Sequence, residues 1–338
     1  MTLVTIWFLI WTLLWAIYFM TDGFDLGVGA MLPFLGRSET ERRILYNATG
    51  PLWDGNEVWL IAAGGVTFAA FPRTYAVMFS AFHEALTLLL LALIVRGLSF
   101  ELRSKVASAR ARSLCDLCQF LGSVLVAVLL GVTFANVFRG LPLVNGVHQG
   151  TILTLLNPYA LAGGAFFLVV FLLHGALWLA IRTESDLHVR AVRTAAVLWP
   201  LVLIAAVAFL IYTGFATHLY DNYIRRPVLW AVPLLTVGAL ITVRVFLNKA
   251  RPGLAWLASS AMIVAITFSG TIGLYPNMLP SRIDPQTNSI TVYQRASSPL
   301  TLKIMLGVVL VLVPIVLIYQ FWAYRMFSNK INASQLVY

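Results

Sequence analysis

Long apolar stretches recur along the whole chain and constrain its fold more than any other feature. A helix that crosses a bilayer needs roughly 20 predominantly apolar residues, and nine stretches of this chain meet that requirement. The composition agrees, because 60% of the 338 residues are hydrophobic and only 11% are charged, whereas soluble domains are about 25% charged. The sequence therefore predicts an all-α integral membrane protein with nine transmembrane helices. The predicted helices cover residues 3–21, 52–71, 75–96, 114–138, 154–181, 193–215, 228–247, 254–275 and 300–325.

The distribution of basic residues predicts how the chain is oriented. A formal net charge of +10 could indicate nucleic-acid binding, but the 23 Lys and Arg residues are concentrated in alternate connections between the apolar stretches. One set of ends and connections holds 16 of them and the other set holds 7. The set with the excess is expected on the cytoplasmic side of the membrane. The sequence thus predicts an outside N-terminus and a cytoplasmic C-terminus, with no nucleic-acid partner.

The order of the stretches is compatible with two four-helix bundles and one peripheral helix. The first bundle would cover residues 1–138 and contain the acidic motifs, the second would cover 154–275, and 300–325 would be the ninth helix.

No Lys or Arg precedes the first stretch and no small-residue cleavage site follows it. We therefore interpret it as a retained helix, which runs on toward Pro33, and not as a signal peptide. The proline-rich connection near 276–299 predicts irregular structure outside the bilayer.

Two acidic motifs lie at the edges of the first two apolar stretches. The motif TDGFD supplies Asp22 and Asp25, and the motif WDGNE supplies Asp54 and Glu57. Each pair has i,i+3 spacing, which places both carboxyl groups on one helix face. In the predicted orientation all four lie at the cytoplasmic ends of their helices and converge at one entrance. Carboxyl groups near hydrocarbon are costly and can carry protons in steps, so the pattern indicates a proton pathway.

The same acidic residues also allow purely structural roles. Asp54 follows Pro51 and could complement the positive end of the second helix. Asp22 and Asp25 could form ion pairs that hold the connection between the first two helices. Structural ion pairs perturb carboxyl groups as functional sites do, so the spacing leaves both roles open. The candidate partners of Asp22 and Asp25 are Arg37, Arg42 and Arg43.

Histidine and cysteine residues are weaker candidates for a site. The pair His83-Glu84 could be a second proton site or a quinol-facing site, but a hydrogen-bonded pair at a helix end is the commoner arrangement. His174 lies inside the fifth stretch, where a haem ligand would need a partner at similar depth; we expect a hydrogen-bonded histidine that faces another helix. Cys115 and Cys118 lack the second ligand pair of a metal site, so we expect two half-buried thiols. This chain alone is expected to bind no haem and no metal.

The two acidic motifs extend into longer signatures. Residues 21–29 read TDGFDLGVG and residues 50–60 read GPLWDGNEVWL. Further segments of the same kind are GG at 64–65, FAAFP at 68–72, RG at 96–97, FE at 100–101, LNPY at 156–159 and the basic run at 182–190. Together these segments resemble subunit II of the cytochrome bd quinol oxidases over essentially the whole chain, most specifically in its first third.

The resemblance implies a fold, a complex and a location. Subunit II of that family has nine transmembrane helices, in two four-helix bundles plus one, packed pseudo-symmetrically against a haem-bearing subunit I in the bacterial inner membrane. The complex oxidises quinol and reduces O2 to water, with protons taken from the cytoplasm and no pumping. Subunit I holds the haems, two of b type and one of d type. Subunit II is required for assembly and supplies part of a proton channel, in which Asp25 and Asp54 match the family's aspartates.

The chain also departs from the family pattern. Glu57 stands where some relatives carry glutamine, which adds an acid at that position. His83-Glu84 stands where many relatives carry a tyrosine or an apolar pair. This departure is compatible with a subgroup whose complexes hold only b haems, so the presence of haem d in the complex is left open. Some relatives hold a structural quinone in subunit II or carry a small single-helix accessory subunit. No motif here decides whether this chain does.

Two other functions remain compatible with the sequence. A proton-coupled transporter would carry its acids near the midplane, at broken helices in symmetric halves. In this chain the densest acids lie at one predicted face and the halves show no visible repeat, which argues against transport. A structural membrane subunit without a proton role is the other alternative. It predicts that conservative replacement of Asp25 or Asp54 alters stability but leaves the rate per haem unchanged.

Overall fold

The computed structural model describes residues 2–294, 296–331 and 336–337, and the chain in it is almost entirely helical. Polar caps and prolines define several helix starts. At the start of α8, for example, the Asn157 side chain accepts a hydrogen bond from the Ala160 backbone N–H, and Pro158 takes the first helical position, where no N–H is needed. The helices are α1 (Leu3–Leu35), α2 (Glu39–Thr49), α3 (Trp53–Ala70), α4 (Pro72–Ala81), α5 (His83–Arg103), α6 (Ala109–Arg139), α7 (Ile152–Leu155), α8 (Pro158–Arg182), α9 (Ser185–Ala216), α10 (Asp221–Arg225), α11 (Ala231–Asn248), α12 (Pro252–Leu274), α13 (Pro285–Asn288) and α14 (Pro299–Met326). The strands are β1 (Leu143–Val144), β2 (Val147–His148), β3 (Asn277–Leu279) and β4 (Ile290–Thr291), and a 3-10 turn at Pro227–Trp230 precedes α11.

Helix α1 lies at the centre of the molecule. It packs against α3, α6, α8 and α12, and every residue from 21 to 32 is buried. Helices α1 and α8 approach closely at Gly27, where a Cβ would lie 1.9 Å from the carbonyl oxygen of Phe171. Only glycine permits backbones to approach so closely. This packing joins residues from both halves of the chain in the main hydrophobic cluster.

Helices α9, α11 and α14 lie at the periphery. Most of their apolar side chains are exposed, as expected for helices that face lipid or a partner subunit. Helix α14 is anchored to α1 by a hydrogen bond in which the Trp7 indole Nε1 donates to the Leu302 carbonyl oxygen at 3.1 Å. The predicted grouping into bundles 1–138 and 154–275 with a ninth helix at 300–325 stays a prediction.

The two ends of the helical bundle differ in structure. The hairpin end carries the antiparallel pairs β1–β2 and β3–β4. The connections that hold them are joined where the Leu141 N–H donates to the Pro280 carbonyl oxygen and the Arg282 N–H donates to the Leu141 carbonyl oxygen, both at 2.9 Å. The connection near 276–299 was predicted to be irregular, and its described residues form β3, β4 and the single turn α13 between the long helices. The opposite end, which we call the α2 end, carries α2.

Eight helices in the described part of the chain are long and apolar enough to cross a membrane. The second predicted span corresponds to α3, which has 18 residues and contains Asp54 and Glu57; it is not among the eight. The predicted count of nine, and the predicted orientation of the termini, therefore stay predictions. The eight are α1, α5, α6, α8, α9, α11 with its 3-10 turn, α12 and α14.

The third predicted span, 75–96, is wrong at both ends. The structure divides this region into α4, which ends at Ala81, and α5, which continues to Arg103. Hydropathy places the end of the span at Arg96 because an isolated cation is costly in hydrocarbon. In the structure Arg96 and Arg103 are paired with carboxylates inside the protein, so the helix continues past both.

Candidate functional site

Arg96 of α5 joins carboxyl groups from two other helices. Its guanidinium binds both oxygens of Asp22 on α1, with Nη2–Oδ1 at 2.6 Å and Nη1–Oδ2 at 3.3 Å. The same Nη1 lies 3.3 Å from Oε2 of Glu57 on α3. Arg96 and Asp22 are fully buried, whereas the Glu57 side chain is 23% exposed. The bidentate, charge-assisted contact between Arg96 and Asp22 fixes the orientation of these two side chains.

Asp25 lies one turn after Asp22 and faces α3 and α14. Its Oδ2 accepts a hydrogen bond from Asn56 Nδ2 at 2.7 Å, and Asn56 Oδ1 in turn accepts one from the Tyr324 hydroxyl at 2.7 Å. Asp25 and Asn56 are fully buried. The second carboxyl oxygen of Asp25, Oδ1, has no hydrogen-bond partner among the described residues. Asp25 can therefore hold a proton on Oδ1 while Oδ2 still accepts from Asn56. We call Asp22, Asp25, Asn56, Glu57 and Arg96 the Arg96 cluster.

The first turn of α3 forms the outer edge of the cluster. Asp54 lies in this turn with an exposed side chain, three residues before Glu57. Helix α14 holds the turn in place, because Gln320 Nε2 donates to the Gly55 carbonyl oxygen and Gln320 Oε1 accepts from Trp59 Nε1, both at 2.9 Å. Asp54 and Glu57 are thus the carboxyl groups that connect the cluster to the outside of this chain.

Helix α6 closes the cluster from behind. A Cβ on Gly122 of α6 would lie 2.9 Å from the Ala92 carbonyl oxygen and 3.1 Å from the Arg96 Cβ. The two helices therefore touch at their backbones directly behind Arg96. A charge confined in this way must be neutralised by protein groups, since burial removes the stabilisation that water provides.

The charge balance of the Arg96 cluster depends on protons. It contains three carboxyl groups, those of Asp22, Asp25 and Glu57, but a single guanidinium. If every carboxyl group were ionised, two negative charges would remain uncompensated in a largely buried site, which is strongly unfavourable. The cluster is neutral when two of the three carboxyl groups carry a proton. The arrangement can therefore store protons and exchange them through its exposed edge.

The position predicted for the first acidic motif is wrong. Helix α1 continues for 13 residues beyond Asp22, to Leu35, a distance of about 20 Å. Asp22 and Asp25 therefore lie inside the molecule and not at an entrance. Asp54 and Glu57 lie in the first turns of α3, as predicted. The structure brings three of the four predicted carboxyl groups together and leaves Asp54 at the exposed edge.

The alternative in which an arginine after the first helix pairs with Asp22 or Asp25 is also wrong. Asp22 binds Arg96, and Arg42, one of the candidate arginines, instead pairs with Asp116 of α6 at 3.1 Å. Arg96 and the buried amide of Asn56 belong to the site but were not among the residues predicted from the sequence. The available signals were a cation at the end of an apolar stretch and an amide within the WDGNE motif.

A second charged network lies at the α2 end. Arg103 binds Glu39 at 3.0 Å and Asp116 at 2.5 Å, and Arg190 binds Glu41 at 2.6 Å. Hydrogen bonds from Arg103 lower the pKa of Glu39. Burial alone would raise the pKa of Glu41, but its hydrogen bonds, chiefly the one from Arg190, outweigh burial and the pKa is lowered. Both glutamates are therefore ionised partners of arginine that hold α2 against α5 and α9.

His174 is a hydrogen-bonded core histidine, as predicted. Its Nε2 lies 2.9 Å from the Met20 carbonyl oxygen and its Nδ1 lies 3.0 Å from the Ser259 hydroxyl, and the ring stacks on Trp256. A carbonyl oxygen only accepts, so Nε2 carries the proton and Nδ1 accepts from the hydroxyl. Both ring nitrogens are engaged, and the residues described here contain no group of three or more potential metal-ligating His, Cys, Asp or Glu side chains. The side chains at this position do not fit haem ligation.

The other histidine and cysteine candidates lie near the surface. His83 and Glu84 are both exposed at the start of α5, which leaves their role a prediction. Cys115 and Cys118 are free thiols of intermediate exposure in α6, so the prediction of two half-buried thiols is confirmed.

Comparison with known proteins identifies the family over nearly the whole chain. The sequence model of the family described as Cytochrome bd terminal oxidase subunit II matches residues 3–327. This chain belongs to that family. The resemblance noted from the acidic motifs is thereby confirmed, and the chain is a subunit of a terminal oxidase, an oxidoreductase complex. Its apolar helices and its relatives make it a multi-pass protein of the bacterial inner membrane.

Relatives and a solved structure agree with this assignment. The chain is 35% identical over 368 aligned residues to the Cytochrome bd-I ubiquinol oxidase subunit 2 of Escherichia coli (strain K12), covering 98% of this chain and 96% of the relative. It is 32% identical over 328 residues to the Cytochrome bd ubiquinol oxidase subunit 2 of Bacillus subtilis (strain 168), covering 97% and 96%. A chain of the bd oxidase from Geobacillus thermodenitrificans has the same fold, with a TM-score of 0.78 at 17% identity, covering 97% of this chain and 99% of that chain.

Proposed function

We propose that this subunit supplies a proton-uptake path to a haem-bearing subunit I, which oxidises quinol and reduces O2 to water. The observation that supports the proposal is the Arg96 cluster, which contains three carboxyl groups and a single guanidinium inside the membrane protein, with Asp22 and Glu57 bound to Arg96 and the buried Asp25 bound to Asn56. Such a site is neutral only when it holds protons, and it opens outward through the first turn of α3. In the predicted orientation, with the N-terminus outside, that opening lies toward the cytoplasm.

The contacts suggest an order for proton movement. A proton taken up at the exposed Asp54 would pass to Glu57, which lies three residues further along α3 and is partly exposed. Glu57 Oε2 and Asp22 Oδ2 each lie 3.3 Å from the same Arg96 nitrogen, so the two carboxyl groups are neighbours, and a water molecule between them would pass the proton from Glu57 to Asp22. Asp25 then holds the proton on its unpartnered Oδ1. Arg96 stays charged throughout and keeps Asp22 oriented.

The redox chemistry is assigned to subunit I. The relatives' names describe ubiquinol oxidases, and His174, the most buried histidine candidate for a ligand in this chain, has both ring nitrogens engaged. Haem b and haem d would therefore be held by subunit I, and this subunit would support its assembly. A complex with b haems alone would use the same proton path. Quinol, O2 and membrane lipid are the other molecules that the complex would meet.

The test is the replacement Asp25→Asn, measured in the purified two-subunit complex. Asparagine preserves the size of the side chain and can accept from Asn56, but it cannot exchange a proton. We expect quinol-dependent O2 uptake per haem to fall about tenfold or more, the scale of a lost proton-transfer group, with an unchanged haem spectrum. The matched control is Glu101→Gln, a carboxyl-to-amide change at an exposed residue that pairs with Lys105 at 3.3 Å, for which we expect a wild-type rate.

A purely structural role for the cluster makes the opposite prediction. Asp25→Asn and Asp54→Asn would then lower the thermal stability of the complex or its haem content, while the rate per remaining haem stayed at the wild-type value. Asp25→Glu restores an exchangeable proton at the same place, so recovery of the rate in that variant would support proton transfer. A full rate per haem in Asp25→Asn would refute the proposed path.

A further inference from the structure

The groove between α9 and α11 has a basic side chain bound across it near the α2 end. The two helices run antiparallel, because Trp199 Nε1 donates to the Leu240 carbonyl oxygen at 2.7 Å and Arg244 Nη1 donates to the Ala196 carbonyl oxygen at 3.3 Å. Arg244 therefore reaches from α11 to α9. Its guanidinium also lies over the Trp199 ring, 5.6 Å from the ring centre.

Three more cations lie near the same end of α9 and α11. Arg193 precedes Ala196 on the same face of α9 and is about 4.5 Å closer to the α2 end. Lys249 follows Arg244 by five residues, about 7.5 Å, and Arg251 shares with it the tight turn between α11 and α12. All four lie within a layer about 8 Å thick, comparable with one headgroup layer of a bilayer. We call these four residues the α9–α11 basic site.

Within the described part of the chain, no carboxylate neutralises these four charges. None of the four forms an ion pair with a carboxylate in the described ranges. By contrast Arg190, one turn before Arg193 on α9, is paired with Glu41 at 2.6 Å. The nearest acid before Arg193 on α9 that forms no such pair is Asp186. It lies about 10 Å from Arg193, toward the start of the helix.

We propose that the α9–α11 basic site binds the phosphodiester headgroup of an anionic phospholipid. Guanidinium groups suit phosphate oxygens because they offer parallel N–H donors and keep their charge. Basic pockets between transmembrane helices are a recurrent form of anionic lipid site. The helices on both sides are apolar and exposed below the cations, with Val197 58% and Ile241 53% exposed. That surface accommodates acyl chains, so the occupant is a lipid and not a free phosphate ion.

Native mass spectrometry of the purified two-subunit complex tests this site. Cardiolipin or phosphatidylglycerol is added, with phosphatidylcholine as a lipid that has the same phosphodiester but no net charge. The double variant Arg193→Gln/Arg244→Gln removes two cations, each worth a few-fold in affinity, so we expect roughly 30-fold weaker anionic-lipid binding. The matched control is Arg225→Gln/Arg226→Gln, which removes two exposed cations at the hairpin end and is expected to bind like the wild type.

A second variant keeps the test independent of helix packing. Lys249→Gln/Arg251→Gln changes only exposed side chains in a turn, and we expect a loss of the same order, with unchanged haem absorbance of the complex. Equal binding of phosphatidylglycerol and phosphatidylcholine by the wild type would overturn the proposal, because the charges would then only orient the chain in the membrane. Displacement of the lipid by excess inorganic phosphate would also overturn it, in favour of a free-anion site.

Discussion

Replacing Arg96 with glutamine would remove the one cation that lies within ion-pair distance of both Asp22 and Glu57 in the described part of the chain. Asp22 would then be a fully buried carboxylate without a counter-ion. Breaking a buried ion pair in this way costs about 3–5 kcal/mol. Glu57 adds little to this cost, because its side chain is 23% exposed and water screens it. We therefore expect Arg96→Gln to destabilise the complex by about 3–5 kcal/mol, nearly all of it through Asp22.

The double variant Asp22→Asn/Arg96→Gln separates the charge effect from loss of packing. It replaces both buried charges by amides of similar size, so no uncompensated charge remains. Residues in direct contact commonly show interaction energies of up to about 3 kcal/mol. We expect the double variant to be more stable than Arg96→Gln by about that amount, even though it carries one more substitution.

Thermal unfolding of the detergent-purified complex, followed by tryptophan fluorescence and haem absorbance at one fixed scan rate, measures these differences. The control is Lys105→Gln, which also changes a cation to an amide but breaks the exposed pair with Glu101. Exposed pairs contribute about 0–1 kcal/mol, so its unfolding temperature should stay near that of the wild type. If Arg96→Gln unfolds at the same temperature as Lys105→Gln, and the double variant is no more stable than Arg96→Gln, the charge-balance argument is refuted.

Two further predictions concern helix packing and pH. Gly27→Ala would place a Cβ 1.9 Å from the Phe171 carbonyl oxygen, so we expect a lower unfolding temperature and a loss of about 1–3 kcal/mol. The control is Gly238→Ala, where nothing lies within 4 Å of the added Cβ, and its unfolding temperature should be unchanged or slightly higher. An equal response of the two variants would contradict the close contact between α1 and α8. Burial raises the pKa of Glu41, but the hydrogen bond from Arg190 outweighs burial, so the pKa is lowered in the folded state. The contribution of ionised Glu41 to stability is therefore complete at pH values above the unfolded pKa of about 4.3. It is lost as pH falls through the lower pKa of the folded state. The difference in unfolding temperature between wild type and Glu41→Gln should therefore shrink as pH is lowered below about 4, and a difference that grows in acid would reverse the sign of this argument.

Much of the helical framework follows from the sequence alone. The stretches predicted at 254–275 and 300–325 correspond to α12 and α14, which span Pro252–Leu274 and Pro299–Met326. The agreement has a simple cause, because a long apolar segment in lipid must satisfy its own backbone hydrogen bonds and can do so only as a helix. The acidic motifs were also visible, because carboxyl groups beside hydrocarbon are rare and expensive. The two sequence motifs are specific enough to indicate the family without any knowledge of tertiary contacts.

The pairing within the site was decided only by tertiary structure. Asp22 and its partner Arg96 are 74 positions apart in the chain, and Asn56 and Tyr324 are 268 positions apart. Spacing along one helix determines which residues share a face, but it does not determine which face of another helix will meet them. Hydropathy also treats Arg96 as the end of a span, because a lone cation is costly in hydrocarbon. Inside the folded protein Asp22 compensates that charge, and the ion pair between α1 and α5 makes a buried site from residues that lie at the ends of two separate apolar stretches in the sequence.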